Sequence, residues 1–140
     1  MARFKFAACE WSFPCWGDLA VRMAHEAGFT GMQLADAGGS TNAYPLNNKR
    51  VQDSYLEAAA KYGITLQSIH LYTLVRQSYI RFSQSSAEGR ECMESIKNGI
   101  IAASEMGIPV VMIEGMRMYG AAQYKHVYQM YQYAVKVAED

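Results

Sequence analysis

The chain has 140 residues, 51% of them hydrophobic, which is the size of one ordinary domain with enough apolar content to form a core. Thirteen basic and thirteen acidic residues cancel to a formal net charge of zero, so no global field draws in nucleic acid or an anionic membrane surface. Cys9, Cys15 and Cys92 are an odd set without a CxxC pair, and they read as reduced thiols, small buried hydrophobes of a cytoplasmic protein.

The opening MARFKFAACEWSF is interrupted by Lys5 and Glu10 and has no signal-peptide cleavage pattern, and no stretch approaches the length of a membrane span. Residues 3–9 read as a strand, 17–27 as a helix, 31–35 as a strand and 49–62 as a helix. A strand over 64–71, a helix over 86–106, a strand over 109–114 and a helix over 123–140 follow. Three joints repeat one pattern, an alanine-rich amphipathic segment, a glycine (Gly28, Gly63, Gly107) and an apolar run. Glycine just past a helix supplies a left-handed C-cap, so each joint is expected to turn a helix into a strand.

Finer signals lie within the elements. Ser85 stands three residues before Glu88, a capping-box spacing that predicts the start of the third helix. The run IPVVMI suits a strand buried on both faces. Tyr124, Val127, Tyr128, Tyr131, Ala134 and Val135 recur at helical spacing, which predicts the face that the last helix packs on the sheet.

Four β-α units in succession imply an α/β fold with a parallel sheet. Neither GxGxxG nor GxxxxGK[ST] occurs, and a flavodoxin-like sheet needs a fifth strand, whereas four units are half of an eight-fold barrel. The expectation is a single (β/α)4 half-barrel domain over residues 1–140. The helix-to-strand turns are short, and the strand-to-helix connections over 36–48 and 72–85 are long. Parallel α/β folds build their sites on that side, at the carboxyl ends of the strands. Alternation along a strand makes Leu66, Ser68 and His70 point together, and likewise Val110, Met112 and Glu114. With both sets facing inward, His70 and Glu114 rise at the barrel mouth on adjacent strands.

The segments FKFAACEWSF, EAGFTGMQL, YGITLQSIHLY and MGIPVVMIEG resemble, in this order, the N-terminal half of the xylose isomerase-like TIM barrels. That superfamily contains sugar and sugar-phosphate isomerases and epimerases, hydroxypyruvate isomerase, inosose dehydratase and enzymes of the endonuclease IV type. The resemblance implies an isomerase or epimerase acting on a small sugar or sugar phosphate, with a divalent metal (Mn, Mg, Co or Zn). It also implies that the base and most of the metal ligands belong to the fifth to eighth strands, which these 140 residues do not contain. The chain alone is therefore expected to be weakly active or inactive.

Within the resemblance, His70 aligns with a histidine that contacts substrate or metal at the end of the third strand, and a histidine bonded to a loop carbonyl is the alternative. Glu114 stands where many relatives have a histidine; it would orient a sugar hydroxyl or act as acid or base, or form a salt bridge with Arg117 or Arg76. Gln33 stands where the family often has a glutamate, and its amide suits substrate contact or support because it cannot ionise. Glu10 and Trp11 close the first strand, and Trp11 offers an aromatic face to sugar C–H groups or else plugs the mouth. Asp36, at the end of the second strand, is a further substrate contact or the start of a turn. Arg76 and Arg81 would meet a phosphate or lie solvated in their loop.

A second function class stays open, a non-catalytic binding or assembly module. A half-barrel exposes the edges of its first and fourth strands, which invites self-association into a homo-oligomer, in the simplest case a dimer closing an eight-stranded pseudo-barrel. Metal-dependent DNA repair fits poorly with zero net charge and three histidines.

Overall fold

A helix that ends in glycine followed by an apolar residue can close its last turn with a backbone N–H from beyond the helix. This chain does so three times. In the computed structural model, which describes residues 5–35, 45–72, 74, 79–114 and 120–140, Phe29, Ile64 and Ile108 donate to the carbonyls of Ala24, Ala59 and Ala103 at 3.0, 3.0 and 2.8 Å. Gly28, Gly63 and Gly107 take φ values of 85°, 66° and 66°, as the joint pattern requires.

The elements are β1 (Ala7–Cys9), α1 (Asp18–Glu26), β2 (Gly31–Ala35), α2 (Lys49–Tyr62), β3 (Thr65–His70), α3 (Ala87–Met106), β4 (Val111–Met112) and α4 (Ala121–Glu139). Short 3-10 turns lie at Glu10–Ser12 and Tyr79–Arg81. The strands are parallel in the order β1-β2-β3-β4. Residues of all four helices, among them Val21, Tyr55, Ile96 and Met130, form one buried cluster with Met32, Leu34, Leu66 and Ile69 of the sheet. The other face of the sheet is polar and partly open. It carries Cys9, Gln33 and Ser68, where Gln33 donates to Ser68 Oγ at 2.8 Å and the Cys9 thiol lies 3.5 Å from the Gln33 carbonyl oxygen.

The structure departs from the sequence pattern in four places. The β2–β3 register slips between Met32 and Gln33, so Met32 pairs with Leu66 but Gln33 pairs with Ser68. The irregularity puts Leu66 in the helix-facing core while Ser68 and His70 face the interior, so the three do not share a face. The cap of α3 is Ser86, not Ser85. Its hydroxyl accepts from Gly89 N–H at 3.0 Å and donates to the Ser83 carbonyl at 2.7 Å, and this places Glu88 one residue too early for a capping box.

The other two departures concern the open side of the sheet. In α4 the buried residues are Val127, Met130 and Ala134, whereas Tyr124, Tyr128, Tyr131 and Val135 are exposed. The run expected to be buried on both faces forms β4, an edge strand whose two residues are half-buried, with Val110 exposed. Both patterns describe apolar surfaces that no described element covers. Of the three thiols, all free, only Cys92 is buried.

Two outcomes test this packing. A β-carbon at Gly89 would run into the Ser83 carbonyl oxygen. Gly89→Ala is therefore expected to lower stability by about 1–3 kcal/mol in urea unfolding, although the same change in an open helix is favourable by about 1 kcal/mol. Burial pushes the Cys92 thiol from 9.0 up to about 12. The folded state thus holds this proton more tightly than the unfolded state, and its contribution to stability is whole below pH 9 and lost as the pH rises to about 12. In native protein a thiol reagent should leave Cys92 unlabelled at pH 8 and modify it on unfolding.

Candidate functional site at the carboxyl ends of the strands

The site begins at Glu10, the residue that follows β1. Its carboxylate is fully buried. One oxygen accepts from Gly17 N–H at 3.1 Å and from the Tyr55 hydroxyl, and the other accepts from Ala35 N–H at 3.0 Å. Gly17 caps α1, Ala35 ends β2 and Tyr55 lies in α2, so one side chain ties the first strand to three other elements. A carboxylate is costly to bury unless such donors replace water, and charge-assisted bonds at a helix N-terminus do so well. Tyr55 gave no signal in the sequence, since its role depends on a contact across 45 positions.

The chain turns directly after Glu10, and this sets Trp11 over the end of the sheet. The Trp11 ring lies 4.9 Å from the His70 ring, tilted by 57°, and stacks on Tyr72 at 5.9 Å with an interplanar angle of 7°. Tyr72 also meets His70 edge-on at 5.8 Å. His70 is only 3% exposed beneath these rings, and its Nε2 stands 3.2 Å from Glu114 Oε2, whose side chain is 33% exposed. The two residues are thus together on adjacent strand ends, but Glu114 is the member that solvent reaches. The charge of Glu114 also acts on α4, where burial first and then this carboxylate raise the Tyr131 pKa.

The remaining candidates divide. Gln33 is partly buried among interior polar groups, bonded to Ser68, with its amide nitrogen 3.9 Å from Met112 Sδ. Glu10 is turned inward, with both oxygens occupied by backbone and tyrosine donors, whereas Trp11 borders the mouth. Asp36, Arg76 and Arg117 lie outside the described residues, and Arg81 places its guanidinium 5.3 Å above the Phe82 ring. Tyr72 joins the site without having been singled out; its position two residues after His70 is the signal that could have found it.

Among the described residues, no three His, Cys, Asp or Glu side chains come together as a metal-binding group. His70 and Glu114 are two donors, fewer than the three or four protein ligands of a zinc site. No helix of the described residues is long and apolar enough to cross a membrane.

Four parallel strands alternating with helices, with polar groups gathered at the carboxyl strand ends, define half of a TIM-type barrel. The model of the family described as "Xylose isomerase-like TIM barrel" matches residues 21–140, and the chain belongs to that family. The structure is similar to that of a xylose isomerase domain protein from Planctomyces limnophilus, with a TM-score of 0.60 and 12% identity. That match covers 95% of this chain and 49% of the other, so the chain spans about half the length of the solved relative. No curated protein matches the sequence.

The Glu10 contacts make a direct prediction. Tyr55→Phe removes the hydroxyl from a buried carboxylate and should cost about 1.5–3 kcal/mol, the range of hydrogen bonds to charged groups, read as a lower urea midpoint with an unchanged m-value.

Proposed function

We infer that the chain carries half of the site of a sugar or sugar-phosphate isomerase or epimerase. The observation that supports this reading is the pairing of a nearly buried His70 with a partly exposed Glu114 at the mouth of a half-barrel of this family. Glu114 reaches the substrate and His70 fixes the position of its carboxylate. The base takes the proton from the carbon next to a carbonyl, and the electron pair passes into an enediolate. The base returns the proton to the former carbonyl carbon while the hydroxyl proton passes to the former carbonyl oxygen, so that carbonyl and hydroxyl exchange places. Trp11 and Tyr72 offer apolar surface to sugar C–H groups, and Gln33 and Ser68 offer hydrogen bonds to hydroxyls. The described residues do not fit a metal by themselves, and the divalent metal expected of a complete barrel requires donors beyond this pair.

The chain alone is accordingly a poor catalyst, because no group among the described residues of the half-site balances the charge that develops on the enediolate oxygen. A homo-oligomer of the chain in a cytoplasmic setting closes the open strand edges but repeats the same half-site, so the donors of the later strands stay missing and turnover stays low. The competing reading, a binding or assembly module without chemistry, draws on the same open strand edges.

Proton exchange separates the two. Small ketoses and their phosphates in deuterated water should lose the proton next to the carbonyl slowly in the presence of the chain, read by NMR, with little net turnover across an aldose-ketose panel with or without added divalent metal. Glu114→Gln should slow this exchange by about 100-fold or more, the usual contribution of a positioned base. Exchange unaffected by Glu114→Gln would remove the catalytic reading, and robust turnover by the 140-residue chain would remove the half-site reading.

A further inference from the structure

The sheet ends in two edges of complementary hydrogen-bonding parity. Thr30 donates to the Phe6 carbonyl, and Ala8 is the register partner of Met32, so Phe6 and Ala8 direct their backbone groups toward β2. In a parallel strand the next residues then point the other way, which leaves the N–H and C=O of Ala7 and Cys9 on the outer edge. On the opposite side, Ile69 and Leu71 donate to the carbonyls of Val110 and Met112 at 2.9 and 3.0 Å. The backbone groups of Val111 and Ile113 therefore face outward.

The side chains at these edges are complementary too. Ala8 belongs to the helix-facing side of the sheet, and alternation puts Phe6 on that side, where it is 66% exposed. Beside β4, on the same side, lies an apolar groove of about 580 Å³ floored by Val111 and Ile113 and walled by Ile100, Ile108, Tyr131 and Val135. Val135 is 58% exposed, and Tyr124 and Tyr128 extend the apolar stripe of α4 beyond it. A strand parallel to β4 would be shaped to fill this groove with a large apolar residue from its helix-facing side. The β1 edge carries such a residue in Phe6.

We propose that the groove is filled by Phe6 of a second copy of this chain, with β1 of each copy pairing in parallel with β4 of the other. The proposal rests on the half-barrel reading and gives its assembly a defined contact. Two copies related by a two-fold axis make this contact twice and close eight strands, which removes both open edges. A net charge of zero sets no repulsion against self-association. The fit also covers part of the two apolar patterns that the single chain leaves open, the β4 run and the Tyr131 and Val135 end of the α4 stripe.

Light scattering after size exclusion of the 140-residue chain at tens of micromolar tests the contact. The wild-type chain is expected at twice its mass of 15.7 kDa. Phe6→Lys and Val135→Glu, at positions exposed in the single chain, should each keep the far-ultraviolet circular dichroism of the wild type. Each should also raise the dimer dissociation constant about tenfold or more, as loss of a central interface residue does. An equimolar mixture of the two variants forms one Lys-Glu contact and one wild-type contact per dimer, and should recover dimer that neither forms alone. A wild-type monomer overturns both the contact and the homo-oligomer. A wild-type dimer that both variants leave intact, or variants whose mixture does not recover, overturns this contact while leaving self-association standing by another surface.

Discussion

The buried carboxylate of Glu10 is the constraint on which the mouth of this half-barrel depends. A strand of three residues such as β1 has little pairing of its own to hold it. Glu10 compensates by accepting from the cap of α1, the end of β2 and a tyrosine of α2. These donors come from separate parts of the sequence, so the carboxylate is satisfied only when the first two β-α units have assembled. The cost of leaving it unsatisfied makes the arrangement cooperative.

The His70–Glu114 pair inherits its geometry from this anchor. With Glu10 fixed, the chain must turn, and Trp11 is laid against His70 and Tyr72. The rings hold His70 nearly out of solvent and leave Glu114 as the side of the pair open to the mouth. Burial underlies the division of roles proposed above, in which the unreachable His70 positions and the reachable Glu114 acts. The register slip between β2 and β3 serves the same end, because it turns Ser68 toward Gln33 and so supplies the interior with a polar pair.

Much of this was legible in the sequence because it rests on local rules. The glycine joints fix three helix ends through backbone conformation alone, and β2 and α2 fall on the expected residues. The meeting of His70 and Glu114 at adjacent strand ends also follows from strand alternation. What could not be read was set by contacts distant in sequence. Tyr55 is a partner of Glu10 only in the folded chain, the slip at Met32 reverses the facing of Leu66, and the cap moves to Ser86 because the Ser83 carbonyl lies against Gly89. The α4 pattern misled for a different reason. Periodicity reports that a face is apolar, not which neighbour covers it, and on α4 a second apolar stripe looks away from the core.

An open half-barrel therefore presents two kinds of surface, a polar mouth at the strand ends, where the proposed small-molecule site lies, and an apolar margin beside β4. Amide chemical-shift mapping of the chain titrated with a five-carbon ketose tests that assignment directly. The expected shifts cluster at the carboxyl ends of the strands, around Trp11, Ala35, Tyr72 and Glu114, while the amides of Ile100, Ile108 and Val135 stay in place. Shifts confined to the apolar groove, or none at the strand ends at saturating ketose, would contradict it.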